Sequence, residues 1–191
     1  RIYVHDSIAD EFVERFVEAV EGFVMGDPTD DATYLGPLTR GVQAEVLEAQ
    51  VADAVAGGAE LRTGGERVDR GGGTWFAPTV LTGVTNEMAV MREESFGPII
   101  GIATVAGDEE ALALMDDTEY GLTAGVFSAD EDRALAMLRR LDAGSAYWNC
   151  CDRVSPRLPW TGRRHSGIGS TLSTYGILAF TRPKAYHLRT A

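Results

Sequence analysis

Between Pro98 and Asn149 the chain alternates apolar extended runs with amphipathic helical ones, and that alternation constrains the fold more than any other feature. The spacing predicts a strand over Pro98–Val105, a helix over Asp108–Asp117, a strand over Leu122–Ser128, a helix over Asp130–Leu141 and a strand over Ser145–Asn149. Strands and helices joined by short connections imply parallel βαβ units, an α/β fold whose sheet is covered by helices. Upstream, Ile8, Phe12, Phe16, Val20 and Phe23 recur at helical spacing between Ser7, a predicted N-cap, and a Gly26-Asp27-Pro28 stop. A second helix carries Leu38, Val42, Val46 and Val51 on one face and closes at Gly57-Gly58. The stretches "AELRTGG" and "WFAPTVL" read as short strands, with Gly71-Gly72-Gly73 as a hairpin tip. Arg1 to His5 reads as a strand already under way, with neither Met nor cap, which predicts a piece of a longer chain.

Composition excludes several function classes. With 45% hydrophobic and 24% charged residues the chain is of ordinary globular character. A net charge of -12, scattered arginines and a single lysine, Lys184, argue against a nucleic-acid partner. No apolar run approaches the roughly 18 residues of a membrane span, and the first residues do not form a signal peptide. Both cysteines, Cys150 and Cys151, stand side by side, and without a secretory signal they point to a reducing cytoplasm rather than a structural disulfide.

Few local patterns carry chemistry by themselves. In "MREESFGP", Met91 to Pro98, Glu93 and Glu94 are adjacent in an extended segment and point opposite ways, so they do not share one acid–base site; one of them could hold a ribose while Phe96 packs on a flat ligand. "SGIGS" at Ser166–Ser170 lacks the third glycine and the preceding strand of a dinucleotide fingerprint. His5, His165 and His187 are far apart and stand at no metal-ligand spacing with a cysteine, and the acidic stretch Gly26–Pro37 lacks the ligand pattern of a calcium loop, so no metal site is expected. The Cys150-Cys151 doublet has no base beside it in sequence and reads as pocket wall or core edge, with a nucleophile in thiol transfer as the alternative.

In order along the chain, "RIYVHDSIADEFVERFVEAV", "GDPTDDATYLGPL", "WFAPTVL", "REESFGPII", "EYGLTAGVFSAD", "YWNCCDRVSPRLPWTGRRHSGIGS" and "YGILAFTRPK" resemble the C-terminal part of the catalytic domain of the aldehyde dehydrogenase superfamily. The resemblance implies residues 1–183 as catalytic-domain segment and 184–191 as an oligomerisation strand, "AYHLR" at Ala185–Arg189, in a homodimer or homotetramer. It implies oxidation of an aldehyde to a carboxylic acid with NAD or NADP, through a cysteine thiohemiacetal and a thioester that a glutamate-activated water hydrolyses. The nucleophilic cysteine is then expected about five residues before Arg1, with the general-base glutamate, the oxyanion asparagine and the dinucleotide domain further upstream, so the 191 residues alone are expected to be inactive.

For this chain the resemblance implies Glu94 on the nicotinamide ribose, Phe96 beside the nicotinamide, Leu122 on the nicotinamide side and Gln43 on a ribose. Asp152, Val154 and Trp160 are implied to line the aldehyde entrance, with Cys150 and Cys151 beginning that loop after Asn149. Trp160 and Thr161 replace a common Phe-Gly and Val154 replaces an aromatic, which implies a different substrate outline, while Thr171 stands where many members carry a relay glutamate, so the resemblance does not carry a relay over to this position. A non-catalytic assembly fragment, or one half of a split enzyme, is the alternative.

Overall fold

The computed structural model describes residues 1–151 and 153–190, which form two compact units divided after Leu114. The first contains strands β1 (Ile2–His5), β2 (Glu60–Thr63), β3 (Arg67–Val68), β4 (Trp75–Phe76), β5 (Thr79–Thr82) and β6 (Ile99–Val105). Its helices are α1 (Ala9–Glu21), α2 (Val42–Ala56), α3 (Ala89–Arg92) and most of α4 (Asp108–Asp116).

The main sheet runs β1-β6-β5-β2. β6 is parallel to both β1 and β5, with Ile2 opposite Ile102 and Thr79 opposite Ile99, whereas β2 joins β5 antiparallel. Successive residues of a strand face opposite sides, so an apolar run serves two cores at once. Val80 and Ile102 pack with Val4, Ala9, Val13 and Val20 on the α1 side. Their neighbours Leu81 and Ala103 pack with Ala54, Val84, Met88, Val90 and Met91 on the other. The predicted glycine tip lies in the β3–β4 hairpin.

The second unit is built on β7 (Thr123–Val126), α5 (Glu131–Leu138) and β8 (Ser145–Trp148), with α6 (Ser173–Leu178) after the long loop. β7 and β8 are parallel in a register that sets Val126 against Trp148. Asp130 caps α5 by accepting the Arg133 N–H at 3.0 Å. Val126, Ala134 and Leu138 form the small core, and Trp148 packs against it.

Three expectations change. Ser7 is not the N-cap: the His5 ring accepts the Ser7 N–H, and a short 3-10 turn over Asp6–Ile8 leads into α1, whose cap position, Ile8, makes no side-chain bond. The buried face of α2 is Gln43, Ala44, Leu47, Gln50, Val51 and Ala54, not the Val42/Val46 face; two glutamines occupy core positions that an apolar pattern cannot detect, and Val42 is exposed. The parallel sheet is mixed, since β2 returns antiparallel, and β6 and β7 belong to different ladders among the described residues. Residues 181–190 extend past α6 without a strand partner among the described residues, and they are exposed.

Candidate functional site

The "EESFGP" motif is a loop between α3 and β6, and α2 holds it from below. The Gln43 side-chain amide donates to the Ser95 carbonyl, between Glu94 and Phe96. Arg40 Nη2 lies 3.5 Å from Gln43 Oε1, which turns the amide nitrogen toward Ser95. One turn further along α2, the fully buried Leu47 fills the space under Gly97, where any Cβ would come within 2.5 Å of Leu47 Cδ1. Beyond the loop, the Pro98 carbonyl accepts the Thr79 N–H at 2.8 Å. Phe96 takes a left-handed backbone conformation (φ 49°), unusual for a residue with a Cβ, and the residue is 77% exposed. Glu94 is exposed as well. A fixed backbone thus presents a carboxylate and a flat apolar ring. Gln43, expected on a ribose, is buried, and its amide nitrogen is committed to Ser95.

The other predicted residues lie in the second unit. Leu122 immediately precedes β7, and its carbonyl accepts the Ser145 N–H at 3.0 Å. Asn149 ends β8 in a left-handed conformation (φ 52°), and its side chain is clamped on Ser128: Oδ1 accepts the Ser128 N–H at 2.9 Å and Nδ2 donates to the Ser128 carbonyl at 3.0 Å. The loop that follows starts with two free thiols, Cys150 half-buried and Cys151 exposed. Asp152 lies outside the described residues. Val154 is exposed, while Trp160 exchanges both backbone hydrogen bonds with Thr171, at 2.8 and 2.9 Å. Thr161 donates its hydroxyl to the Gly169 carbonyl at 2.6 Å, and its own carbonyl lies against Gly144, where a Cβ would collide with it. Among the described residues no group of three or more His, Cys, Asp or Glu is arranged to hold a metal ion.

The aldehyde dehydrogenase sequence profile matches residues 1–186. The chain belongs to the aldehyde dehydrogenase family. An NADP(+) succinate-semialdehyde dehydrogenase of Deinococcus radiodurans is 42% identical over 184 residues, covering 96% of this chain and 38% of that protein. Among solved structures, an NAD-dependent aldehyde dehydrogenase of Sinorhizobium meliloti superposes with a TM-score of 0.93 at 36% identity, over 99% of this chain and 38% of that one. Betaine aldehyde dehydrogenase of Staphylococcus aureus in complex with NAD+ gives a TM-score of 0.90 at 30% identity, over 100% of this chain and 40% of that one. The aldehyde dehydrogenase segment seen here therefore spans about two fifths of the length of these relatives. No described helix is long and apolar enough to cross a membrane.

Several residues that build this aldehyde dehydrogenase segment carried no signal in the sequence. Ser128 and Asn149 are 21 positions apart, and nothing local marks either as the other's partner. Arg164, in a left-handed turn (φ 53°), donates to the Asp116 and Thr118 carbonyls at 2.7 Å each and to the Asp116 carboxylate at 2.7 Å, fastening the far end of the loop. The left-handed conformation at Arg164, a residue other than Gly or Asn, is visible only in three dimensions.

Proposed function

We propose that this segment supplies the nicotinamide-ribose contacts and the aldehyde-entrance wall of an NAD(P)-dependent aldehyde dehydrogenase that oxidises an aldehyde to a carboxylic acid. The reading rests on one observation above all: in a chain of this family, the Glu94–Phe96 loop is held rigid by α2 while both side chains are left exposed. The exposed carboxylate suits the paired hydroxyls of a ribose and the exposed ring suits the flat nicotinamide, so the residues present fit the dinucleotide. Glu94 would hold the ribose, Phe96 would pack beside the nicotinamide, Gln43 would act by holding that loop, and Leu122 would supply a separate contact on the nicotinamide side. When bound, the dinucleotide accepts the hydride that leaves the substrate carbon. Cys150, Cys151, Asp152, Val154 and Trp160 would shape the aldehyde entrance. The nucleophilic cysteine and the general-base glutamate would come from sequence outside these 191 residues.

Joining the chain to the cysteine-bearing part of the family fold and following NAD(P) reduction with a panel of aldehydes tests the reading. The expected result is aldehyde-dependent reduction that Glu94→Gln weakens mainly through KM for the dinucleotide. Absence of reduction with every aldehyde in a folded protein counts against it.

A second reading, assembly through the C-terminal segment, is favoured by one observation: Phe180, Tyr186 and Leu188 are 92%, 72% and 85% exposed. Such apolar exposure is what a strand awaiting a partner presents. Both readings hold together in a homo-oligomeric enzyme. Sedimentation of a chain ending at Pro183 separates them: loss of assembly with retained activity assigns the segment to assembly alone.

A further inference from the structure

Two glycine-containing turns of the first unit border a cleft of about 410 Å³ lined by Asp27, Pro28, Pro37, Arg70, Gly72 and Trp75. One is the stretch after α1 that begins at Gly26; the other is the tip of the β3–β4 hairpin, where Gly71 and Gly72 take left-handed conformations (φ 68° and 60°). Three ties fix these turns against each other. The Leu38 N–H donates to the Thr74 carbonyl at 2.8 Å, and Arg70 Nη1 donates to the Met25 carbonyl at 2.6 Å. Gly73 lies so near Pro37 that an added Cβ would stand 3.0 Å from the proline Cβ. The Trp75 indole N–H is committed inside the hairpin, to the Gly71 carbonyl at 3.0 Å, so Trp75 joins Pro28 and Pro37 in offering the cleft apolar surface.

The charges of the cleft are opposite and do not meet: no ion pair joins Asp27 to Arg70. Oppositely charged side chains that share a cleft attract, and free ones would close on each other. Here each is fastened elsewhere. Asp27 Oδ1 accepts the Thr29 N–H at 2.9 Å and the Thr29 hydroxyl at 2.7 Å, which hold the carboxyl below its ordinary range and therefore ionised at neutral pH. Those bonds leave Oδ2 without a partner among the described residues. Arg70 commits Nη1 to Met25 and leaves Nη2 and Nε without one. A carboxylate and a guanidinium edge, held apart beside apolar surface, match a ligand that carries an ammonium and a carboxylate of its own.

We propose that this cleft binds a free α-amino acid with an apolar side chain, its ammonium on Asp27, its carboxylate on Arg70 and its side chain against Trp75, Pro28 and Pro37. A simple anion would meet Asp27 and a simple cation would meet Arg70, so the dipolar ion alone is attracted by both. No lining residue belongs to the Glu94–Phe96 loop or to the Cys150–Trp160 loop, and the proposal does not rest on the roles given to them.

Isothermal titration calorimetry with L-leucine tests it, on the chain joined to the cysteine-bearing part of the fold. 4-Methylpentanoate and 3-methylbutylamine keep the leucine side chain with one charge each. Leucine is expected to bind, and each single-charge analogue to bind about 10-fold more weakly or less. Asp27→Asn and Arg70→Gln should each weaken leucine about 10-fold, and Arg70→Lys should restore part of that loss. The variants should also differ from each other: Asp27→Asn should lose the preference for leucine over 4-methylpentanoate, and Arg70→Gln the preference over 3-methylbutylamine. No binding of leucine, equal binding of either analogue to the unaltered protein, or preferences unchanged by the substitutions overturns the proposal. The unaltered protein supplies the first two comparisons, so the proposal can fail even where a variant does not fold. Aldehyde oxidation is not measured, and either result leaves the enzymatic reading to its own test.

Discussion

The loop at Glu94–Phe96 and the loop at Cys150–Trp160 are held in opposite ways. The first is supported by side chains from beneath, Gln43 under Ser95 and Leu47 under Gly97. The second is tied down through backbone groups, Trp160 to Thr171 and Thr161 against Gly144, with the Asn149 clamp at its start. A loop supported by core side chains can tolerate little change beneath it. A loop fastened by backbone can exchange its outward side chains, Arg153, Val154 and Arg157, without losing its path. The contrast fits the roles proposed for the two loops, the first toward the cofactor and the second toward the aldehyde entrance.

Substitutions can break this contrast. Leu47→Ala should have the largest effect, about 2–5 kcal/mol of stability, because it empties a fully buried position; chemical denaturation measures it, and hydrogen exchange should rise at the Ser95 and Gly97 amides. Gly144→Ala should cost about 1–3 kcal/mol, because the new methyl meets a carbonyl oxygen rather than a movable side chain. Val154→Ala, on the same loop's outer side, should stay within about 0.5 kcal/mol in the same assay. If Val154→Ala costs as much as Gly144→Ala, the loop is held by its side chains and the contrast fails.

Gln43→Leu should cost about 1–2 kcal/mol by leaving the Ser95 carbonyl without its donor. In the joined protein its signature is a raised KM for the dinucleotide, with kcat less affected. The smallest effect belongs to Glu48→Gln, away from both loops. The hydrogen bonds from Arg67 at 2.7 Å hold the Glu48 carboxyl below its ordinary range, so the pair contributes above the ordinary glutamate value, and its contribution is lost as pH falls through the lowered one. Both side chains are exposed, so the parent should be only slightly more stable than the variant at neutral pH, and that small difference should vanish as pH falls through the lowered value.

What could be read in advance follows from the range of the forces involved. The strand Ile99–Val105 and the helix Asp108–Asp116 fall within a residue or so of expectation because their periodicity is local. The phase of α2 is not carried by its apolar pattern, because Gln43 and Gln50 are buried where that pattern expects hydrocarbon, and the bond that draws Gln43 inward goes to Ser95, 52 positions away. Likewise, membership of β6 and β7 in separate ladders depends on pairings made between distant segments, about which strand propensity is silent. Glu94 and Phe96 could be named from their motif, whereas the left-handed turn that exposes Phe96 could not. At the proposed entrance loop the resemblance named Val154 and Trp160, whereas the pairing of Arg163 and Arg164 with Asp142 and Asp116 joins positions too far apart in the chain to be read from it.

The Asn149 amide presents to Ser128 the same donor and acceptor that the next peptide of β8 would have offered. It is a counterfeit peptide group, and it makes the end of the strand a ratchet stop. Sliding β8 by one residue would bring Cys150 to that place, and a thiol cannot return both bonds. A single-residue deletion between Ser145 and Trp148 therefore cannot be absorbed by slippage, and the two thiols keep their positions along the chain to the residue.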